Sequence, residues 1–323
     1  MSGKIVVTGG GGFIGSHLTE KLLGRGSDVV VFENRMSQNL ESAAGHPGFT
    51  LVEGDIRDIG AVEAVMNSDV DLVFHLAAVV GVKNYIKDPV GVIDINVGGT
   101  RNVLQAAARA GARVVLTSTS EVYGKNPKVP WSEDDDRVLG NTSIDRWSYS
   151  TSKATAEHMA IAMHHTQGLP VTVVRYFNAY GPRQSPYYVI SQSVYRALRG
   201  EPPILYDGGR QTRCFTFIDD AITGTLAAAD HPEAVGQVFN IGNSTEATVR
   251  EAIETVIKVA GVDRGWEDLD TTAHYGESYE DIIRRVPDVD KARRLLGFEA
   301  KTTLGEGVEA TVEWARHNDW WLA

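Results

Sequence analysis

Residues 8–15 read Thr-Gly-Gly-Gly-Gly-Phe-Ile-Gly, in which Gly9, Gly12 and Gly15 hold a G-x-x-G-x-x-G spacing. An apolar run beginning at Lys4 stands directly before this stretch, and a short apolar run that ends in glycines is typical of a buried strand. From residue 13 onward the apolar residues recur at helical spacing. The stretch therefore predicts a strand, a tight glycine turn and a helix in direct succession.

The rest of the first half alternates strand-like and helix-like patterns. Helical patterns lie near residues 58–67, 89–110 and 147–167. Apolar, β-branched runs predict further strands at Val29–Phe32, Thr50–Val52, Leu72–Phe74, Arg113–Leu116 and Val171–Val174. Such alternation indicates a parallel sheet with helices on both faces. We therefore predict an α/β protein with a Rossmann-like doubly wound parallel sheet, which binds ligands at the carboxyl ends of its strands.

The pattern loosens after about residue 180, where glycine and proline pairs separate shorter elements. Two later helices are predicted, near residues 248–260 and 304–317. We expect residues 1–180 to form the sheet domain, to which part of the later chain returns. Residues 181–323 are expected to form mainly a smaller C-terminal substrate-binding lobe.

Composition excludes several classes of protein. The chain has 323 residues, 42% of them hydrophobic, which is typical of a folded globular protein. Its net charge of −11 disfavours binding to nucleic acid, because phosphates attract basic proteins. The single cysteine, Cys214, excludes an internal disulfide framework and a cysteine-based zinc site. The acidic run at 133–136 is expected to be a solvated loop, so we predict no metal site.

The chain also lacks the patterns of a membrane or secreted protein. No apolar run reaches the roughly 18 residues that a membrane span requires. The first strand follows Met1 so closely that we expect no signal peptide. A cytoplasmic location without membrane partners is therefore expected.

The glycine turn is suited to a dinucleotide cofactor. Glycine permits the tight turn, the close approach of backbone to a pyrophosphate, and tight packing of helix on strand. The helix N-terminus offers free N–H groups and a positive dipole end to the phosphates. Glu33 ends the second predicted strand, where its carboxylate can accept hydrogen bonds from ribose hydroxyls, which favours NAD. Arg35 nearby could meet a 2′-phosphate, so NADP is the alternative.

Tyr149 and Lys153 form a Tyr-x-x-x-Lys pattern within a predicted helix, so both side chains lie on one face. A tyrosine is a poor base at its ordinary pKa of about 10. A nearby ammonium and a cationic nicotinamide ring would stabilise the phenolate and lower that pKa. The pair could then take a proton from a substrate hydroxyl while a hydride leaves to the ring.

With these residues in place, the chain resembles the extended short-chain dehydrogenase/reductase family, and within it the nucleotide-sugar epimerases, dehydratases and decarboxylases. The resemblance runs almost end to end. Beyond the glycine turn and the Tyr149/Lys153 pair, it rests on Asn96 and on segments 55–57 (Asp-Ile-Arg), 75–78 (His-Leu-Ala-Ala), 118–124 (Ser-Thr-Ser-Glu-Val-Tyr-Gly), 175–183 (Arg-Tyr-Phe-Asn-Ala-Tyr-Gly-Pro-Arg) and 207–216, which ends Arg-Cys-Phe-Thr.

The resemblance implies a bound NAD that accepts a hydride from C4 of a nucleotide sugar and later returns it. Asp55 and Ile56 would meet the adenine, and Lys153 would hold the nicotinamide ribose. The full set of cofactor-binding residues implied by the resemblance and by the glycine turn is Gly9, Gly12, Phe13, Ile14, Gly15, Glu33, Asn34, Asp55, Ile56, Leu76, Ala77, Ala78, Asn96, Tyr149 and Lys153.

On the substrate side, Thr119 would share the sugar 4-hydroxyl with Tyr149. Asn178 and Arg213 would hold the nucleotide diphosphate. These roles come from the resemblance and are expectations for the present chain.

Glu121 distinguishes reactions within this family. A simple 4-epimerase moves one hydride off and back onto C4 and needs no further acid–base group. Dehydratases and decarboxylases also act at C5 and C6 and carry a glutamate at this place. We therefore predict catalytic roles for Ser120 and Glu121 beside Thr119, Tyr149 and Lys153. A helix-capping or solvent-facing acid is the structural alternative for Glu121.

The segment from Tyr279 to Val289 resembles that of UDP-glucuronate decarboxylases. There the arginine that matches Arg285 approaches the sugar C6 region, and a guanidinium can bind a carboxylate through two parallel hydrogen bonds. Tyr279 and Arg285 are therefore predicted to contact the substrate, and Arg285 to take part in catalysis. The segment at 183–190 departs from this pattern and is more like that of epimerases, because decarboxylases tend to have an arginine about where Tyr188 stands.

The sequence thus predicts an NAD-dependent enzyme that oxidises a nucleotide sugar at C4, with decarboxylation of UDP-glucuronate favoured. A UDP-hexuronate or hexose 4-epimerase and an NDP-hexose 4,6-dehydratase are the alternatives. A non-catalytic NAD-sensing protein is disfavoured, because a sensor needs no base. Relatives pair the helices matching 89–110 and 147–167, so a homodimer is expected, with the alanines at 106–108 allowing close helix approach.

Overall fold

A seven-stranded parallel sheet forms the centre of the computed structural model, which describes residues 3–263, 265–271 and 281–323. The strands in chain order are β1 (Lys4–Thr8), β2 (Val29–Glu33), β3 (Phe49–Glu53), β4 (Val70–His75), β5 (Arg113–Thr119), β6 (Val171–Tyr176), β7 (Ala179–Tyr180), β8 (Ile204–Tyr206), β9 (Thr212–Cys214), β10 (Thr216–Phe217), β11 (Val238–Ile241), β12 (Glu246–Thr248), β13 (Glu267–Leu269) and β14 (Arg284–Arg285). The central sheet has the order β3-β2-β1-β4-β5-β6-β11. The strand order reverses at β1 and β4, as in a doubly wound Rossmann-like sheet, so the predicted fold class is confirmed.

Helices cover both faces of this sheet. They are α1 (Phe13–Gly24), α2 (Ile59–Val65), α3 (Val82–Lys87), α4 (Pro89–Ile93), α5 (Thr100–Ala110), α6 (Arg146–Gln167), α7 (Val189–Leu198), α8 (Ile218–Asp230) and α9 (Val249–Ala260), with later helices at Asp290–Leu296, Leu304–Arg316 and Asp319–Leu322. The pattern predicted at 89–110 is not one α-helix, because a π-helical stretch at Asp94–Gly99 separates α4 from α5.

The strands are buried on both faces because their apolar residues alternate between two cores. Val6 and Val114 pack on one face with α5 and α6, and Val7 and Val115 pack on the other with α1 and α8. Both cores hold the carboxyl ends of the strands at one edge of the sheet. That edge carries the functional residues.

The later chain contributes to this edge in two ways. Its strand β11 pairs with β6 and extends the central sheet. Outside the central sheet, β9 pairs with β12 and β14, and the register places Arg285 of β14 opposite Arg213 of β9. Two arginines that lie far apart in the sequence are thereby brought side by side. The domain boundary at residue 180 stays a prediction.

The prediction that the alanines at 106–108 allow close approach of helices in a dimer is wrong in part. Ala106 and Ala107 are 1% and 0% exposed because they pack inside the protein's own core. They cannot also present a surface to a partner subunit. Within the described ranges, no helix combines the length and apolar character needed to cross a membrane.

Candidate active site

A cavity of about 1280 Å³ opens at the carboxyl ends of β1, β4 and β5. Pockets for one small ligand usually have about 300–1,000 Å³, so this cavity has room for a dinucleotide and a second ligand. The predicted site residues that line it are Gly9, Gly12, Phe13, Ile14, Gly15, Glu33, Asn34, Asp55, Ile56, Leu76, Ala77, Ala78, Thr119, Ser120, Glu121, Tyr149, Lys153, Asn178, Arg213 and Arg285. The predicted substrate contact Tyr279 lies outside the described residues.

The glycine turn is too tight for side chains at two positions. Gly9 has φ +72°, and a Cβ there would lie 2.6 Å from the backbone nitrogen of Ala77. A Cβ at Gly15 would overlap the carbonyl oxygen of Gly9. The turn therefore presents bare backbone and the N-terminus of α1 to the cavity, as a pyrophosphate requires.

The Glu33 carboxylate is held in place by the glycine turn. Its Oε2 accepts a hydrogen bond from the backbone nitrogen of Gly11 at 3.0 Å, and its Oε1 accepts one from that of Asn34 at 2.9 Å. A carboxylate can accept about four hydrogen bonds. Glu33 therefore keeps acceptor capacity that ribose hydroxyls can use.

The Lys153 ammonium has no partner among the described residues. Its side chain is 4% exposed, lines the cavity and makes no hydrogen bond or ion pair to any described residue. Burial lowers its pKa to about 8. A buried, unpartnered donor of this kind needs a ligand to bind. The donors and acceptors here fit the riboses and pyrophosphate of NAD.

Asp55 and Asn96, two of the predicted cofactor contacts, differ in how directly they face this cavity. Asp55 lines it, but its carboxylate is also paired with Arg57 at 2.7 Å. Asn96 is 1% exposed and is not among the lining residues in the described chain. Its Oδ1 accepts from the Val79 nitrogen at 2.8 Å, and its Nδ2 donates to Ser152. Asn96 therefore holds the loop after β4 against α6, and its direct cofactor contact stays a prediction.

Tyr149 lies in the first turns of α6 with its ring stacked on Tyr85, at 5.9 Å between ring centroids. Its hydroxyl lies near the side chain of Thr119, the last residue of β5. Burial raises the pKa of Tyr149, and the nearby Glu121 carboxylate raises it further. In the protein without cofactor the Tyr149 pKa thus lies above its ordinary value, because the loss of water around the phenolate outweighs the effect of the Arg285 cation.

Glu121 is positioned by a single helical turn, Ser120–Tyr123, directly after β5. Its backbone nitrogen donates to Thr119 Oγ1 at 3.2 Å, and its side chain lies between two guanidinium groups. Arg285 Nη1 lies 2.7 Å from Glu121 Oε1, and Arg146 Nη2 donates to both carboxylate oxygens at 3.0 and 3.1 Å. Although burial opposes it, the Arg146 and Arg285 guanidinium groups hold the pKa of Glu121 below its ordinary value. The solvent-facing alternative for Glu121 does not apply.

This ion pair extends to five residues, which we call the charge cluster: Glu121, Arg146, Arg213, Asp281 and Arg285. Asp281 Oδ1 lies 3.6 Å from Arg146 Nη1, and Arg213 Nη2 donates to both Asp281 oxygens at 3.0 and 3.1 Å. The cluster therefore holds three positive and two negative charges among the described residues. Arg285 Nε is buried and has no hydrogen-bond partner among them.

Arg146 and Asp281 are site residues that the sequence analysis did not identify. Arg146 could have been found by extending the helical face of Tyr149 and Lys153 backwards, because positions i, i+3 and i+7 share one face of a helix. Asp281 stands within the segment compared with decarboxylases, but nothing in its spacing marks it. Its role depends on the pairing of β14 with β9.

The remaining predicted residues lie along the outer part of the cavity. Asn178 has φ +42°, lines the cavity and donates to the Cys214 carbonyl oxygen at 3.3 Å. Tyr188 also lines it, and its hydroxyl lies 3.4 Å from where a Cβ on Gly81 would stand. Burial and the Glu121 carboxylate raise the pKa of Tyr188 to about 12. This part of the cavity thus presents a neutral phenol where the resemblance to decarboxylases predicts an arginine.

Comparisons with known proteins agree with this geometry. A model of the NAD-dependent epimerase/dehydratase family matches residues 5–242. A UDP-N-acetyl-alpha-D-glucosaminuronate decarboxylase of Bacillus cytotoxicus is 38% identical over 322 residues, which cover 98% of each chain. UDP-glucuronic acid decarboxylase 1 of Arabidopsis thaliana is 38% identical over 316 residues, 96% of this chain and 69% of that one. The solved UDP-glucuronic acid 4-epimerase of Bacillus cereus, in complex with UDP-glucuronic acid and NAD, has a TM-score of 0.88 at 29% identity and covers 97% of this chain and 99% of that one.

Proposed function

The chain belongs to the NAD-dependent epimerase/dehydratase family, and we propose that it oxidises a UDP-linked hexuronate at C4 and then removes C6 as carbon dioxide. UDP-glucuronate is the substrate we favour. The observation that carries this proposal is the ion pair of Arg285 with Glu121 at 2.7 Å, both of which line the cavity. The Arg285 guanidinium can bind a uronate carboxylate, whereas a neutral hexose offers it no charged partner.

NAD is the cofactor, and when bound it supplies the hydride acceptor for C4 of the sugar. The bare backbone of the glycine turn would bind its pyrophosphate, and Glu33 would accept hydrogen bonds from its adenosine ribose. Lys153 would donate to the nicotinamide ribose. These three groups would hold the cofactor at the strand ends.

Tyr149 would take the proton of the sugar C4 hydroxyl. Its hydroxyl lies near the Thr119 side chain, so both groups can reach the same substrate oxygen. Stacking of the ring on Tyr85 further restricts the side chain. A general base held in this way typically contributes about 10²- to 10⁴-fold to rate.

A ketone at C4 makes the C6 carboxylate labile, because that carboxylate is then β to a carbonyl group. The C5–C6 bond can break with its electron pair moving to the C4 oxygen, which gives an enolate and carbon dioxide. Arg285 would bind the carboxylate before this bond breaks. Tyr149, which now holds the C4 proton, can donate a hydrogen bond to the enolate oxygen. A proton must then reach C5, which gives the 4-keto pentose. Return of the hydride to C4 and of the Tyr149 proton to the C4 oxygen would give the UDP-pentose.

A UDP-hexuronate 4-epimerase is the second candidate, and Tyr188 is the observation in its favour. A phenol in place of the expected arginine leaves the substrate carboxylate with one cation fewer. The 4,6-dehydratase ranks lower, because it would need Glu121 to remove a proton from C5. A carboxylate whose pKa is lowered by two guanidinium groups is a weak base. A non-catalytic NAD-sensing role would leave Tyr149 and Thr119 without a purpose.

We also propose that the protein acts in the cytoplasm as a homodimer. The support for a dimer is an apolar surface on α4, where Val90 is 75% exposed and Ile93 is 45% exposed. This helix lies against α6, the helix that carries Tyr149. Sedimentation at micromolar concentration tests the dimer, and a monomer there would contradict it.

Product mass tests the proposed reaction. The protein is incubated with NAD and separately with UDP-glucuronate, UDP-N-acetylglucosaminuronate and UDP-glucose. Loss of the mass of carbon dioxide from a uronate supports the decarboxylase. An unchanged mass with an inverted C4 would make the epimerase the correct assignment, and loss of water from UDP-glucose would indicate the dehydratase. The two uronates together identify the group preferred at C2.

A further inference from the structure

We propose that Arg146 is a positioning residue that keeps Glu121 in its carboxylate form and aimed at Arg285. The use of this arrangement in catalysis rests on the proposed function, whereas the contacts of Arg146 do not. It follows from the position of Arg146 at the first residue of α6, on the helical face that also carries Tyr149 and Lys153.

Arg146 contacts two carboxylates at once. Its Nη2 donates to both oxygens of Glu121, and its Nη1 lies 3.6 Å from Asp281 Oδ1. The side chain is 1% exposed, so its position cannot relax toward water. A planar guanidinium can bridge two carboxylates in this way, whereas a lysine ammonium is a single point of charge.

The bridge joins two parts of the chain that are separate in sequence. Glu121 follows β5 of the central sheet, and Asp281 precedes β14 of the smaller three-stranded sheet. Asp281 in turn receives two hydrogen bonds from Arg213, the predicted diphosphate contact. Arg146 therefore connects the expected nucleotide end of the substrate with its expected carboxylate end.

The Arg146 guanidinium stabilises the ionised form of Glu121. A buried carboxyl group favours its neutral form unless cations stand beside it. Arg146 contributes the largest lowering of the Glu121 pKa, ahead of Arg285. Among the residues that the structure describes, the charged or titratable groups that face Glu121 are Arg146, Arg285, Arg213, Asp281, Tyr149 and Tyr188.

Loss of the Arg146 side chain would weaken the hydrogen bond by which Glu121 holds Arg285. A carboxylate accepts the Arg285 hydrogen bond at 2.7 Å and holds that guanidinium toward the cavity. A protonated carboxyl group offers a weaker acceptor and a new donor. Arg285 would then lose the partner that fixes its direction, and a substrate carboxylate would meet a mobile cation.

The test uses Arg146→Met and Arg146→Lys, with Arg175→Lys as the matched control. Arg175 forms a buried Arg–Glu pair away from the cavity, with Glu157 at 2.7 Å. Infrared absorption of a protonated carboxyl group at neutral pH is recorded for the NAD-bound protein. We expect this band in Arg146→Met but not in the wild type, and its loss in the double variant Arg146→Met/Glu121→Gln.

The pH profile of carbon dioxide release from the UDP-hexuronate gives a second readout. The acid limb of kcat/KM should move upward by about 1–3 pH units in Arg146→Met, and by less in Arg146→Lys, which keeps one charge. Arg175→Lys should lower stability without moving this limb. If Arg146→Met does not fold, the limb and the band are measured in Arg146→Lys.

The two proposals fail in different ways. A wild type that releases no carbon dioxide from either uronate overturns the proposed function, and the infrared band still decides the role of Arg146. A wild type that releases carbon dioxide, together with Arg146 variants that show neither the band nor a shifted limb, overturns the positioning role. Loss of stability alone in these variants would mean that Arg146 is only structural.

Discussion

Arg285 Nη1 lies 2.7 Å from Glu121 Oε1, so these two residues form an ion pair inside the cavity. Glu121 comes from the turn after β5, and Arg285 comes from β14 in the last part of the chain. The Arg285 Nε atom is buried and makes no hydrogen bond to another described residue. The Arg285 side chain also lines the cavity, so a substrate carboxylate bound there can contact this guanidinium.

Replacement of Arg285 by Met should discriminate between substrates by charge. Removing one partner of a desolvated charge pair costs about 2–5 kcal/mol, or roughly 30- to 5,000-fold. We expect a loss of this size in kcat/KM for UDP-glucuronate, and little change in the dissociation constant of UDP-glucose. Steady-state kinetics and calorimetry provide these values.

Arg284→Met is the control for that experiment. Arg284 is the neighbour of Arg285 on β14, but its side chain is 54% exposed and pairs with Glu246. The control should behave like the wild type with both nucleotide sugars. Equal losses on both sugars in Arg285→Met would mean that Arg285 binds the nucleotide, and the uronate assignment would lose its main support.

Tyr149→Phe should abolish oxidation while binding is retained. The variant keeps the ring that stacks on Tyr85 but lacks the oxygen that accepts the C4 proton. We expect turnover to fall by at least about 10²-fold, with unchanged affinity for NAD and nucleotide sugar. Tyr123→Phe is a suitable control, because Tyr123 is a buried phenol bonded to Asn240 and does not line the cavity. Wild-type turnover in Tyr149→Phe would exclude Tyr149 as the base.

Six of the seven strands of the central sheet could be predicted from sequence, because each has a local apolar signal; β11 was not predicted. The observed strands contain the predicted runs and extend them by up to three residues. The glycine turn was equally predictable, since positions such as Gly9 must avoid a Cβ whatever the rest of the chain does. Local chemistry decides these features, so a local pattern reveals them.

The charge cluster could be predicted only in part, because its geometry depends on contacts between distant segments. Asp281 meets Arg213 through the pairing of β14 with β9, and each of these strands has only two or three residues. Such short strands have no periodicity that marks them in a sequence. The raised pKa of Tyr149 in the protein without cofactor could not be predicted either, because burial cannot be read from a Tyr-x-x-x-Lys spacing.

Lys153→Met should stabilise the cofactor-free protein at neutral pH. The folded-state pKa of Lys153 is about 8, whereas the unfolded value is 10.5, because burial disfavours the ammonium. Below pH 8 the wild type therefore holds a buried charge that costs stability. Between pH 8 and 10.5 the unfolded state binds more protons than the folded state, so wild-type stability rises with pH.

Urea unfolding at several pH values measures this effect. The advantage of Lys153→Met should be a few kcal/mol at pH 7 and should shrink as the pH rises above 8. The exposed Lys87 provides the control Lys87→Met, for which no such pH dependence is expected. An advantage that is the same at pH 7 and above pH 10 would show that the Lys153 ammonium is not destabilised by burial. NAD affinity should fall in Lys153→Met at every pH.

Glu33→Gln should weaken the binding of NAD and reduce the preference for NAD over NADP. Hydrogen bonds to charged groups contribute about 1.5–3 kcal/mol, so we expect NAD affinity to fall about 10- to 100-fold. The affinity for NADP should fall less, because its 2′-phosphate is repelled by the Glu33 carboxylate and that repulsion disappears in the variant.

Glu53→Gln is the matched control. Glu53 stands directly opposite Glu33 in register on β3, yet its side chain is exposed and does not line the cavity. Dissociation constants of both dinucleotides, measured on cofactor-free protein, decide the matter. If their ratio is the same in Glu33→Gln and in the wild type, Glu33 only supports the glycine turn through Gly11, and Arg35 becomes the residue to test for cofactor choice.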